Sequence, residues 1–497
     1  MYGVYIRKKC KTLQAKRIVF IIHLKGESFM TGKRKRKLAM PDTLIIVASV
    51  VLLVAILSWI IPSGTYDYQE MNINGRIRNV AIDGTYHTID KSEVTTTGFL
   101  GFFSVLYRGC VEAADVIFMI LCCCGTFGVV VKTGAFHAGI GTILKKLKGK
   151  EILLVPIIMM IFGLGGSVFG MASEFYGFYP LIVGLGVALG YDAMFGFAII
   201  AVGEFVGFMG ATLNPYSVGI AQTISGVELY SGTGYRAICF VIFMAISIIY
   251  VMVYGRKIKK NPGASVVFGE KNIHAFDRDE LNEYSFTLKD GLVLLDVLVV
   301  LVVLMLGLIK WGWDFPQLCG LFLLMSMIAA AICKWSPNKW CSEFIDSAKT
   351  AMWGCILTGI AKAITVVMQD AQIMDTVIYG LSNVLKNAPH AVSAQVMLVV
   401  QTLINFFIPS ATGQASATMP IMAQLADIIG VSRQTAVLAF QFGDGLSNIF
   451  WPTADIVIIC GLGGISLQKW YKWFTPLFLI LFVTQAILLG IATGIGF

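Results

Sequence analysis

The sequence predicts an all-α polytopic membrane protein built from two inverted-topology repeats, each with a re-entrant helical hairpin and a discontinuous transmembrane helix. Three observations lead there. Of 497 residues, 57% are hydrophobic and 13% are charged, about half the charge of a soluble domain, so water is not the main solvent around this surface. Apolar runs of spanning length, about 20 residues each, recur along the chain. Four further apolar runs are interrupted by Gly, Pro or polar clusters, in matching order in the two halves. The composition excludes a soluble enzyme, a disordered chain and a disulfide scaffold. The eleven cysteines include no CxxC pair, and most lie in apolar runs, as packed, reduced thiols do.

The net charge of +9 is unevenly placed: residues 1 to 38 hold twelve Lys or Arg against the single acid Glu27. Residues 1–42 therefore read as a basic cytoplasmic tail before the first span, not as a nucleic-acid surface. Lys25-Gly26-Glu27 stands just before Met30, and its codons can spell a purine-rich ribosome-binding site. The expectation is translation from Met30, with residues 1–29 not translated; an intact mass that begins at Met1 refutes it.

Clear spans are expected over 43–61, 112–131, 236–254, 289–309, 316–333, 344–368 and 474–496, and broken ones over 151–190, 193–222, 391–430 and 433–464. Loop charges orient them. Residues 62–97 carry five acids against Arg76, Arg78 and Lys91, with the turn pairs Asn74-Gly75 and Asp83-Gly84, so an external loop with a β-hairpin is expected. The runs 145–150 (KKLKGK) and 255–260 (GRKIKK), with Lys334, Lys339, Lys469 and Lys472, mark cytoplasmic ends. The N-terminus is then cytoplasmic and the C-terminus external. The chain divides into a first half (43–255), a cytoplasmic linker (256–288) and a second half (289–497).

Residues 112–222 and 350–460 repeat one order of features. A span leads to an amphipathic stretch (140–147; 377–385), then a run of small residues (163–173, GLGGSVFGMAS; 409–418, PSATGQASAT). Next come a helix led by Pro180 or Pro420 and a span broken at Leu213-Asn214-Pro215 or Trp451-Pro452-Thr453. Two copies of opposite topology are the signature of a secondary transporter. Non-helical backbone at membrane depth survives only where protein or a wet cavity satisfies it, so the turns at 163–170 and 409–418 imply an internal polar site. Free N–H groups at hairpin tips attract carboxylates; hydroxyls and unwound carbonyls suit a small cation. The candidates of that kind are Ser167, Ser173, Ser410, Thr412, Gln414, Ser416 and Thr418. The structural alternative is that small residues only allow close helix packing.

Intramembrane acids cost at least about 2.5–3.5 kcal/mol each at the bilayer centre, which singles out Glu174, Glu204 and Asp444. Asp444 stands between glycines, with Ser447, Asn448 and Thr453 following; Asn214 marks the first break. A lone acid of this kind otherwise serves to bond a neighbouring helix. Lys362, inside LTGIAKAITVV, pairs with one of these acids, binds a substrate carboxylate or snorkels to the surface. There is no HExxH and no GxSxG, which argues against an intramembrane enzyme, and paired hairpins argue against an ion channel.

The stretches AMPDT (39–43), FGLGGSVFGMASE (162–174), LNPY (213–216), SGTGYR (231–236), VYGRKIKKNP (253–262), ATGQASATMP (411–420) and VLAFQFGDGLSNIFWPT (437–453) resemble the YfcC group of the DcuC-type carriers, within the larger ion-transporter superfamily. The resemblance implies inverted repeats, a scaffold and a mobile part in each, hairpins entering from opposite sides, and a homodimer. Family labels name four-carbon dicarboxylates, while relatives exchange arginine for ornithine. The combined expectation is a multi-pass secondary transporter of the bacterial cytoplasmic membrane: a basic amino acid antiporter or ion-coupled carrier. The alternative is a four-carbon dicarboxylate carrier, which calls for several buried basic residues where Lys362 is the only deep one. The expected partners are the lipid bilayer and a small-molecule substrate. No nucleic acid is expected, and no cofactor beyond a coupling Na+ or H+.

Overall fold

The computed structural model describes residues 42–73, 76–147, 151–270, 274, 286–386 and 392–497. The basic tail with Met30, the pair Asn74-Gly75 and most of the charged linker lie outside the described residues.

In chain order, α1 (Thr43–Ile60) opens on Asp42, whose carboxylate accepts from the Leu44 N–H at 2.9 Å. Strands β1 (Ser63–Thr65), β2 (Tyr68–Ile73), β3 (Arg76–Ala81) and β4 (His87–Ile89) follow, pairing β1 with β4 and β2 with β3, both antiparallel. Then come α2 (Phe99–Glu112), α3 (Ala114–Lys132), α4 (Ala135–Leu147), α5 (Leu154–Leu164) with a π turn over Gly165–Phe169, α6 (Phe178–Ala188), α7 (Ala193–Met209), α8 (Val218–Ile224) and α9 (Thr233–Lys260). Beyond the linker lie α10 (Leu288–Lys310), α11 (Phe315–Ile332), α12 (Pro337–Lys349), α13 (Met352–Asp370), α14 (Met374–Lys386), α15 (Ser393–Phe407), α16 (Ala411–Ile428), α17 (Arg433–Ser447), α18 (Asp455–Gly463) and α19 (Leu467–Gly494). Seven of these (α1, α3, α9, α10, α11, α13 and α19) are long and apolar enough to cross a membrane, one for each clear apolar run.

Two spans are longer than the sequence reading, α9 running six residues further to Lys260 and α19 beginning seven residues earlier at Leu467, and three differences bear on how the chain is divided. The run 112–131 is divided at Ala113, which leaves helical geometry at ψ 7°, so Glu112 closes α2 and the span begins at Ala114. The run 344–368 joins two helices: α12 is amphipathic, capped by Ser336 with Pro337 at its first position, and the apolar span starts at Met352. The stretch 409–418 is not a turn. The chain turns at Ile408–Ser410, and 411–428 is one helix with Pro420 inside it. Ser410 caps that helix, and the Ser416 and Thr418 hydroxyls donate to carbonyls four residues back. The side chains read as turn formers are thus absorbed by the helix.

Helices pack in two equivalent sets. In the first half α5, α6 and α9 surround α7; in the second α15, α16 and α19 surround α17; and α7 meets α17. The remaining helices exchange partners: α1 and α2 pack on α13, while α11 and α12 pack on α3. The α2–α13 crossing is made backbone to backbone. A Cβ at Gly109 would collide with the Gly359 carbonyl and the Ala363 backbone, and one at Gly359 with Cys110. The strands bolt onto the start of α14. Asp375 accepts from the Tyr66 N–H (3.0 Å) and the Tyr68 hydroxyl (2.8 Å), and Tyr86 stacks on Tyr379 with ring centroids 4.1 Å apart. Burial, and then the Asp375 carboxylate, push the Tyr68 phenol well above its ordinary range.

Gly170 ends the π turn in left-handed geometry, φ 69°, and a Cβ there would overlap the Asn214 amide. Gly170→Ala is expected to lower stability by about 2–3 kcal/mol, read as a fall in melting temperature in detergent; an unchanged melting temperature refutes this.

Candidate functional site

Each half carries a helix–turn–helix (α5–α6, α15–α16) followed by a helix that stops short, an irregular stretch and a second short helix (α7–α8, α17–α18). The two interrupted helices match in detail. Glu204 follows the N-cap Asp192 by twelve residues, and Asp444 follows the N-cap Ser432 by the same twelve. Both acids are fully buried. Each takes one bond from its own half: Tyr179 hydroxyl to Glu204 Oε2 at 2.9 Å, and Asn405 Nδ2 to Asp444 Oδ1 at 2.8 Å. The second oxygen of each carboxylate has no hydrogen-bond partner among the described residues. Asn405 Oδ1, Asn448 Oδ1 and Thr453 Oγ1 are likewise buried acceptors without a donor.

The tips of the two helix–turn–helix units are tied to the irregular stretches. Ser167, in the π turn, donates to the Gly210 carbonyl (3.0 Å), and the Thr212 N–H donates back to the Ser167 carbonyl (2.9 Å). Asn214 shapes the first break, its Oδ1 accepting from the N–H groups of Tyr216 and Ser217. The two tips also reach across to the other half: Thr412 Oγ1 donates to the Tyr216 carbonyl (2.9 Å), and the Tyr176 hydroxyl donates to Asp455 Oδ1 (2.8 Å).

Between the tips lies a cavity of about 520 Å³. Ser173 and Tyr176 line it from the first tip, Ile408–Ser410 and Gly413 from the second, and Thr453, Ala454 and Asp455 from the second break. Lys362 lines it from α13, on a face with Thr358, Ala361, Thr365 and Gln369. Glu112 and Ala113 line it from the end of α2, and Val116, Phe315, Met374 and Ile458 add apolar wall. Its ionisable side chains are therefore Glu112, Lys362 and Asp455, besides the Tyr176 phenol. In a second cavity, of about 500 Å³ at Tyr191–Ala193 and Pro262–Glu270, both acids among the described lining residues are already engaged. There the Asp192 carboxylate already accepts from Phe195, Tyr254 and Ser265, and Glu270 pairs with Lys469.

Of the residues singled out by sequence, Ser173, Ser410, Thr453 and Lys362 line the cavity. Glu204, Gln414, Thr418, Asp444 and Asn448 are buried and are not among the residues that line it. Gln414 donates to Gln401 and accepts from Asn405, and Gln401 donates to Thr418. Glu174 turns onto its own backbone, accepting from the Ala172 N–H at 3.0 Å, and Ser416 and Ser447 bond their own helices. Sequence reasoning missed Asp455, Glu112, Tyr176, Tyr179 and Asn405. The available signal was an acid two residues after the Pro452-Thr453 break, and another at the very start of an apolar run.

The chain matches the family model DcuC, C4-dicarboxylate anaerobic carrier, over residues 40–494. It is 32% identical over 502 residues to an Escherichia coli (strain K12) protein whose provisional name is basic amino acid antiporter YfcC, covering 94% of this chain and 99% of that one. A Haemophilus influenzae protein of uncharacterised function is 27% identical over 506 residues, covering 93% of this chain and 99% of that one. Among solved structures, the Alcanivorax borkumensis YdaH transporter matches with a TM-score of 0.42 at 15% identity, covering 92% of this chain and 99% of that one. Neisseria gonorrhoeae MtrF matches with 0.42 at 16%, covering 92% and 96%. A family match from residue 40 to 494 and a relative at 32% identity along nearly its whole length place the chain: it belongs to the DcuC family of membrane transporters.

Proposed function

We propose that this DcuC-family carrier exchanges basic amino acids, such as arginine and ornithine, across the bacterial cytoplasmic membrane by alternating access. The observation that carries the reading is the charge of the cavity wall. Glu112 and Asp455 supply two carboxylates and Lys362 one ammonium, the complement of a substrate with two cations and one carboxylate. A dicarboxylate would bring two negative charges to a wall that is net negative, and like charges cost several kcal/mol across a recognition surface. The name of the E. coli relative points the same way.

Residues 112–222 of the first half (43–255) and 350–460 of the second half (289–497) act as the two inverted repeats, with α5–α6 and α15–α16 as hairpins entering from opposite faces. The matched packing of α7 and α17, and the equal spacing of Glu204 and Asp444, support this. With the N-terminus in the cytoplasm, the strand segment and the C-terminus are external. Asp444, beside the Oδ1 atoms of Asn405 and Asn448, which accept from no donor among the described residues, is the position we propose for a coupling cation, Na+ or H+.

The test is counterflow in proteoliposomes of the purified protein. Internal arginine or ornithine is expected to drive saturable uptake of labelled arginine, and internal succinate is not. Labelled succinate that exchanges with succinate while arginine does not would establish the dicarboxylate reading instead.

A further inference from the structure

We infer that Glu112 selects the charge of the substrate side chain, while Asp455 holds the α-amino group; this rests on the function proposed above. The two cavity acids are held differently. Asp455 opens α18 directly after the irregular stretch, and the Tyr176 hydroxyl fixes its carboxylate at 2.8 Å. Glu112 ends α2, is exposed, and makes no ion pair within 4 Å among the described residues; Arg108, one turn back, is paired with Asp370 and attracts Glu112 only from a distance.

Amino acids share one α-ammonium at a fixed bond distance from the α-carboxylate, so a fixed acid suits it. Side-chain cations differ in reach: the guanidinium of arginine lies farther from Cα than the ammonium of ornithine. An unanchored acid can follow both by changing rotamer. The backbone behind it is rigid all the same. Gly109 and Gly359 cross without room for a Cβ, and Glu112 and Lys362 each follow a crossing glycine by three residues. The site thus combines a fixed wall with a movable carboxylate.

Rejection follows from the same geometry. A neutral side chain entering the cavity removes water from Glu112 without replacing its partner, and an unpaired desolvated charge disfavours that ligand. Citrulline is the probe, because it replaces the guanidinium of arginine with a neutral urea of nearly the same shape. Competition against labelled arginine counterflow in proteoliposomes is expected to show the wild-type protein preferring arginine over citrulline by about 100-fold. Glu112→Gln is expected to cut that ratio by at least about tenfold. Glu112→Asp, which keeps the charge but shortens the reach by one methylene, is expected to retain the preference for arginine over citrulline and to favour arginine over ornithine. A ratio unchanged in Glu112→Gln, equal loss of both substrates, or an Asp variant that behaves like the Gln variant overturns the assignment. Wild-type protein that exchanges succinate and not arginine overturns the proposed function, and this assignment with it.

Discussion

Asp444→Asn is expected to lower arginine counterflow by about 100-fold or more while leaving the melting temperature in detergent unchanged or raised. The carboxylate is fully buried, accepts one bond from Asn405 and leaves its second oxygen unpaired. Asn448, one helical turn on, and Thr453 add acceptors without donors. A layer so rich in free acceptors is electrostatically incomplete and calls for a cation. Asn keeps the shape of Asp and removes the charge. Breaking a buried charge pair costs about 3–5 kcal/mol, which is about two to three orders of magnitude in an equilibrium. The empty protein, by contrast, is relieved of a buried carboxylate without an ionic partner, so its own stability does not fall. Transport and stability therefore separate. Wild-type counterflow in Asp444→Asn removes Asp444 from the site, and a parallel collapse of the melting temperature assigns it a purely structural role.

The two halves of the molecule explain which parts of the site were legible in the sequence. Asp444 and Glu204 stood out because a lone acid in an apolar run is costly wherever it lies. The breaks stood out because Pro215 and Pro452 each remove a backbone donor and crowd the preceding turn, which kinks or breaks a helix. Apolar runs of spanning length also gave all seven long apolar helices, within a few residues at most ends. It failed where a local signal had two outcomes. The Ser/Thr/Gly-rich 411–418 reads as a turn by composition, yet Ser410 caps a helix there and the hydroxyls return to its carbonyls. Asp455 and Glu112 were passed over for another reason. Each sits in the sequence at the first position of an apolar stretch, where an acid reads as a commonplace helix opener; Asp455 does open α18, whereas Glu112 closes α2. Only the exchange of α1 and α2 onto α13, and of α11 and α12 onto α3, carries Glu112 to the same cavity as Asp455. That pairing is long-range and leaves no mark on local periodicity.

Asp455→Asn is expected to abolish counterflow of arginine, ornithine and citrulline alike, a loss of about 100-fold or more, because it removes the acid proposed for the group that all three share. Tyr176→Phe is expected to cost less, about tenfold or somewhat more: a hydrogen bond to a charged group contributes about 1.5–3 kcal/mol, and part of it is recovered by water entering the cavity. The two changes are expected to be non-additive. The phenol touches the first tip and Asp455 touches the second break, so the bond works only while both partners stand, and once the acid is gone the phenol has nothing left to orient. A double-mutant cycle on the counterflow rate should return a coupling of about 1–3 kcal/mol. Additive losses would mean that Tyr176 acts on substrate independently. A Tyr176→Phe variant with wild-type rates would mean that Asp455 holds its position without the bond across the halves, and that the contact between hairpin and break is a feature of one resting state and not of the loaded site.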